Sequence, residues 1–185
     1  MTSSPTPPPG AAPEPGWLRL DQQICFSLHA ASRAFNGVYR VILKELGLTY
    51  PQYLAMLVLW ERDDLPVKAL GERLRLDSGT LSPLLKRLEG AGLLRRERST
   101  VDERSVRVRL TPEGSALRER ALEVPRRIVA ATGFDPAEIG DLRDRLDHLT
   151  AALDAAASAE SVSESVSESA SASAGGARQP TPPLR

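Results

Sequence analysis

Val106, Val108 and Leu110 alternate with Arg107 and Arg109, a two-residue period set inside a chain whose other apolar positions recur at three and four. Leu94 to Arg98 precedes this run, and the charged Ser99 to Ser105 joins the two. The pair predicts a β-hairpin with a charged tip. The fold class expected is therefore mainly α with one small hairpin.

The helical signal starts at Leu20. Ile24, Leu28, Ala31, Phe35, Val38 and Ile42 repeat at three and four residues, so Asp21 to Leu46 reads as one long helix that Gly47 can stop. Thr49 is placed to cap a second helix with Pro51 at its second position, and Tyr53, Leu54, Leu57, Val58 and Trp60 supply its apolar content. Leu65-Pro66-Val67 is too short for more than a strand stub, and Leu70 and Leu74 form an i,i+4 pair in a short helix from Lys68. Asp77-Ser78-Gly79 reads as a turn, followed by a helix from Thr80 with Leu81, Leu84, Leu85 and Leu88 inward. Pro83 obscures its start, because an interior proline removes a backbone donor. Beyond the hairpin, Thr111-Pro112-Glu113-Gly114 opens a helix toward Ala131. Asp135-Pro136 opens a last one, with Ile139, Leu142, Leu146, Leu149 and Leu153 on one stripe.

Composition narrows the partners. Residues 1–16 are rich in proline, serine and threonine, and residues 158–185 alternate serine with alanine, valine or glutamate and hold no aromatic. Neither end buries enough apolar area to offset chain ordering, so both are expected to be disordered, leaving residues 17–157 as one domain. The formal charge is zero, but residues 62–109 carry 12 Lys/Arg against 8 Asp/Glu while 110–157 carry 6 against 9. A basic centre suits an anionic partner. Cys25 is the only cysteine, so no intramolecular disulfide exists and a reducing, cytoplasmic setting is expected. No run approaches the roughly 18 apolar residues of a membrane span. No metal-ligand cluster or Gly-rich cofactor loop stands out, and no cofactor is expected.

A short helix, a turn, a second helix and a basic hairpin make the layout of a winged helix-turn-helix, with the second helix entering the major groove of double-stranded DNA. Residues 65–110 would read DNA. Candidate contacts are Ser78, Thr80, Ser82, Lys86 and Arg87 around the second helix, and Arg96, Asp102 and Arg104 on the hairpin. Arg104 is placed to enter a minor groove, with Asp102 or Glu103 pairing with it.

These residues carry a resemblance. LDSGTLSPLLKRLEGAGLLRRERSTVDERSVRVRLTPEG resembles the MarR-type winged-helix regulators, above all in its DERSVRVRLTPEG wing. ICFSLHAASRAF and GLTYPQYLAMLVLWE are similar to the organic hydroperoxide resistance repressors within that family. The resemblance implies dimerisation through the terminal helices, about 20–46 and 112–157, an inverted-repeat operator, and repression until oxidation. It also implies that Cys25 is the peroxide-sensing thiol, hydrogen-bonded by Tyr39 and Tyr50. With one cysteine, the chain matches the type whose sulfenic acid is captured by a small thiol. On this reading the protein is not an enzyme.

Geometry adds a condition. Cys25 and Tyr39 are fourteen residues apart, about 21 Å along one helix, so a contact between them must cross between subunits. His29 stands four residues after Cys25 on the same face, where an imidazolium would favour the thiolate. Two other readings stay open at this point: a MarR-type regulator that answers a small aromatic ligand, with Cys25 incidental, and a thiol peroxidase, which would lack a resolving cysteine.

Overall fold

The computed structural model describes residues 17–98 and 105–174, with side chains through Glu160. The expectations for the head, 1–16, for residues 175–185 and for the hairpin tip, which holds Asp102 and Arg104, lie outside the described residues. A short 3-10 turn, Leu20–Gln22, precedes helix α1, Ile24–Ile42. A second 3-10 turn, Leu43–Leu46, ends at Gly47, whose φ of 68° only glycine adopts cheaply. There the Leu48 N–H reaches back to the Leu43 carbonyl, closing the helix with a Schellman-type bond. The expected single helix thus has a break at Gln23, where the backbone is extended.

Helix α2, Tyr50–Glu61, begins at Thr49, whose N–H donates to Gln52 Oε1 at 2.8 Å. Tyr53, Ala55, Met56, Val58 and Leu59 are all buried, so this helix is enclosed on several sides and shows no narrow apolar stripe. Strand β1, Leu65–Pro66, leads into α3, Val67–Leu74, and then α4, Ser78–Gly90. Here the sequence reading needs correction. Asp77 is the cap of α4, its carboxylate accepting from the Thr80 N–H, so Ser78 and Gly79 belong to the first helical turn and not to a preceding loop. Pro83 sits inside α4 and leaves the Gly79 carbonyl without its helical donor. Both residues are exposed, so water can take that position.

Strands β2, Leu94–Arg98, and β3, Val106–Leu110, form the expected hairpin, with Leu94 opposite Leu110 and Arg98 opposite Val106. The stub β1 joins them, Leu65 opposite Val108, giving an antiparallel sheet in the order β1-β3-β2. The helix expected from Thr111 to Ala131 is two: α5, Pro112–Ala121, and α6, Glu123–Thr132. Pro125 explains the break, because it has no N–H for the Ala121 carbonyl and its ring crowds that turn. Leu43, Met56, Leu59, Leu70, Leu81, Leu85, Leu88, Leu94 and Val108 make the most buried part of the core.

One compact unit ends at Thr132, and a second begins at Gly133. The second unit is built on α7, Pro136–Ala174, started by Asp135, whose Oδ1 accepts from the N–H groups of Ala137 and Glu138. The helix continues to Ala174, through part of the tail. The segment has no glycine or proline before Gly175, and alanine and glutamate extend a helix already nucleated.

Candidate nucleic-acid interface and thiol site

Helix α4 buries Leu81, Leu84, Leu85 and Leu88 and turns the rest of its circumference outward. Ser78, Ser82 and Lys86, four residues apart, form one exposed row, and Thr80 and Arg87, seven apart, form another. Between the rows lie Gly79, Pro83 and Gly90, with no long side chain, so a groove wall can approach the helix backbone closely. Thr80 is partly committed: its hydroxyl donates to Asp77 Oδ2 at 2.9 Å, which leaves its oxygen free only to accept. The same two bonds from Thr80, backbone first, hold the Asp77 carboxyl below the usual carboxylate range. Among the described residues Lys86 and Arg87 make no ion pair, so their charge is available to phosphate.

The hairpin is less basic than its sequence suggests. Arg96 is tied to Glu89 of α4 by its Nε and Nη2, at 2.9 and 2.6 Å, while its backbone N–H donates to Glu89 Oε1. The Arg96 side chain, followed by its backbone N–H, lowers the Glu89 pKa. Arg107 Nε lies 2.7 Å from Asp64 Oδ1 and Arg109 Nη2 lies 3.0 Å from Oδ2. Asp64 occupies the left-handed region at φ 57°, where the turn before β1 points its carboxylate at β3. Arg95 pairs with Glu97 at 2.8 Å. The sequence makes Arg96 a candidate DNA contact and the other three part of a basic centre. In the fold Glu89 and Asp64 consume much of that charge as clamps that lock the wing to α4 and β1. A groove of about 760 Å³ runs between α3, α4 and the wing, with Ser78, Ser82, Arg96 and Ser105 on its walls.

The thiol lies apart from this surface. Cys25 is in the first turn of α1 and exposed, and His29, one turn on, is exposed as well. Tyr39 is in the last turns of the same unbroken helix, about 21 Å along it, so one chain does not bring Cys25 and Tyr39 together. It does bring the two tyrosines together, with ring centroids 4.4 Å apart. Tyr53, read from sequence only as an apolar position, completes the group at 6.0 Å from Tyr39. Burial first, and then Tyr50 and Tyr53, push the Tyr39 phenol up to about 12. It therefore stays a hydrogen-bond donor at any ordinary pH. Trp60 follows Tyr53 at 6.3 Å, and its Nε1–H donates to the Gly114 carbonyl at 2.9 Å, at the foot of the wing.

Comparison with known proteins agrees with this architecture. Residues 37–120 match the profile of the family described as Transcriptional regulator SarA/Rot. The chain is 45% identical, over 136 residues, to the organic hydroperoxide resistance transcriptional regulator of Bacillus subtilis (strain 168), covering 74% of this chain and 92% of that one. Among solved structures, overoxidized AbfR bound to DNA superposes with a TM-score of 0.62 at 37% identity, covering 74% of this chain and 96% of that one. Reduced AbfR bound to DNA gives 0.59 at 38%, covering 71% and 94%. The chain belongs to the MarR-type winged-helix transcriptional regulators, in the group of organic hydroperoxide resistance repressors.

Proposed function

We propose that this protein is a homodimeric repressor that holds an inverted-repeat operator in the thiol state and releases it when an organic hydroperoxide oxidises Cys25. The observation that carries this reading is the exposed Cys25 thiol at the start of a helix whose apolar residues are left uncovered in the single chain: Ile24 is 66% exposed and Phe35 40%. Such a face calls for a second copy. In the dimer Tyr39 and Tyr50 of one subunit meet Cys25 of the other, so the sensor is composite and its state is tied to the angle between subunits. His29 adds positive charge near the thiol when protonated.

The chemistry follows from those groups. The Cys25 thiolate attacks the terminal oxygen of ROOH, an S–O bond forms as the O–O bond breaks, and the alkoxide leaves as the alcohol after taking a proton. A small thiol then displaces water from the sulfenic acid, giving a mixed disulfide. That adduct is bulkier than one oxygen and separates helices packed around Cys25. Two α4 helices must sit about one helical turn of DNA apart, roughly 34 Å, to engage both half-sites, so a change in subunit angle breaks one contact. Ser78, Ser82, Lys86 and Arg87 are the contacts from α4, with Thr80 accepting, and Arg104 with Asp102 those from the wing tip. The setting is cytoplasmic, consistent with no described helix being long and apolar enough to cross a membrane.

The test is operator binding by fluorescence anisotropy with wild type and Cys25→Ser, before and after an organic hydroperoxide with a small thiol. Both proteins should bind, and only wild type should release. Release of the serine variant would refute the sensor role, and release by an aromatic acid without oxidant would favour a ligand-responsive regulator instead.

A further inference from the structure

One face of α2 runs from the tyrosine group to the wing. Tyr50, Tyr53, Leu57 and Trp60 follow one another at three, four and three residues and so share one side of the helix. Ten residues separate the first from the last, about 15 Å along the axis. At the near end Tyr50 and Tyr53 flank Tyr39, with ring centroids 4.4 and 6.0 Å from its own. At the far end Trp60 meets Tyr53 edge-on at 6.3 Å and donates its Nε1–H to the Gly114 carbonyl at 2.9 Å. Ala55 and Leu59 are buried on the opposite side, so the helix shifts as one piece when it shifts at all.

Gly114 is where α2, α5 and the wing meet. Its N–H donates to Thr111 Oγ1 at 3.0 Å, and Thr111 in turn donates its hydroxyl to the Gly92 carbonyl and its N–H to the Leu93 carbonyl, just before β2. The start of α5 and the foot of the wing are thereby one frame, and Trp60 joins α2 to it. The indole also has room to leave. A cleft of about 230 Å³ opens beside it, walled by Tyr53, Leu57, Arg118, Leu122 and Pro125. Rotation into that space breaks the bond to Gly114 without displacing backbone, which gives the contact two arrangements.

We infer that Trp60 is a positioning residue that carries the state of the tyrosine group to the wing. The inference rests on the reading of Tyr39 and Tyr50 as the pocket of Cys25, and it supplies that pocket's output. In the thiol state the Trp60 N–H holds the foot of the wing against α2. A change at Cys25 that moves Tyr39 also moves Tyr50 and Tyr53, and α2 with them. A shift of about 1–2 Å, usual for a packed helix, takes a 2.9 Å bond beyond hydrogen-bond reach. The wing then meets the operator without its brace, and affinity falls.

Trp60→Phe tests it, because a ring against Tyr53 stays and the N–H goes. Operator anisotropy is read for the reduced protein and after cumene hydroperoxide with cysteine, with oxidation of Cys25 confirmed by intact mass. Reduced Trp60→Phe should bind roughly two- to tenfold more weakly than reduced wild type, the range for one lost hydrogen bond, while the two oxidised proteins bind alike. A packing defect would weaken both states equally, and that result would overturn the inference alone. Wild type that keeps its operator once Cys25 is oxidised would overturn the sensor reading and the inference together. Trp17→Phe leaves Trp60 the only tryptophan. Its emission should shift on oxidation of the DNA-free protein and stay fixed when Cys25→Ser is added. Release of the operator by oxidised Trp17→Phe with no change in emission would also overturn the inference.

Discussion

Tyr39 shows how a single residue acquires its role from its surroundings. Its phenol is half-buried against Tyr50 and Tyr53, and burial disfavours the phenolate. The folded pKa is raised from 10 to about 12, so the stability this group contributes is complete below pH 10 and is lost as pH rises through about 12. Alkaline titration followed by phenolate absorbance should show a tyrosine ionising near 12 that Tyr39→Phe removes. All tyrosines ionising together near 10 in the folded protein would contradict the burial argument. The sequence marked Tyr39 and Tyr50 through family resemblance, but Tyr53 was legible only as an apolar residue, since nothing in its spacing shows that its ring meets theirs. Arg96 and Glu89 make the converse case. Arg96 reads from the sequence as a DNA contact, and only the approach of β2 to α4 joins it to Glu89, seven residues earlier across a turn.

Among the elements, the junction of wing and α5 is the tightest point. Thr111 caps α5 by accepting from the Gly114 N–H and donates its hydroxyl to the Gly92 carbonyl, while its own N–H donates to the Leu93 carbonyl. A Cβ on Gly114 would lie 1.9 Å from the Leu93 oxygen, backbone against helix with no flexible side chain to yield. Gly114→Ala should therefore destabilise by about 1–3 kcal/mol or more and displace the wing, with a lower Tm and weaker operator binding. A Tm equal to wild type would show the contact to be relaxed in solution. The hairpin strands were legible to the residue because their period of two stands out against helical neighbours. The break between α5 and α6 was missed although Pro125 announced it, and the start of α4 was misjudged because Asp77 serves equally as turn residue and as cap until its hydrogen bond is seen.

For the whole molecule, the decisive fact is apolar surface with nothing on it. In the first unit Trp17, Leu18, Leu20 and Ile24 are exposed, at 47% to 95%, and in the second Leu142, Leu146 and Leu153 are 38% to 58% exposed. A protein that dimerises through its terminal helices would bury such residues. Leu20→Glu combined with Leu153→Glu costs no core packing within one chain and should yield monomers by analytical ultracentrifugation, with operator affinity lost because one half-site alone is held. A dimer that persists with full affinity would place the interface elsewhere. Truncation after Ala157 should leave operator binding and oxidation-driven release as they are, since residues 158–160 are exposed and the sequence beyond them carries no aromatic or large apolar anchor apart from Leu184.

The order of elements, the hairpin register's alternation, the leucines that α4 turns inward and the isolation of Cys25 were all determined by local sequence, because period, caps and residue counts act within a few positions along the chain. Tertiary structure alone decided which charges remain available. Asp64 takes up Arg107 and Arg109, and Glu89 takes up Arg96. Ion pairing and burial depend on distances between residues remote in sequence, and those distances exist only once the chain has packed.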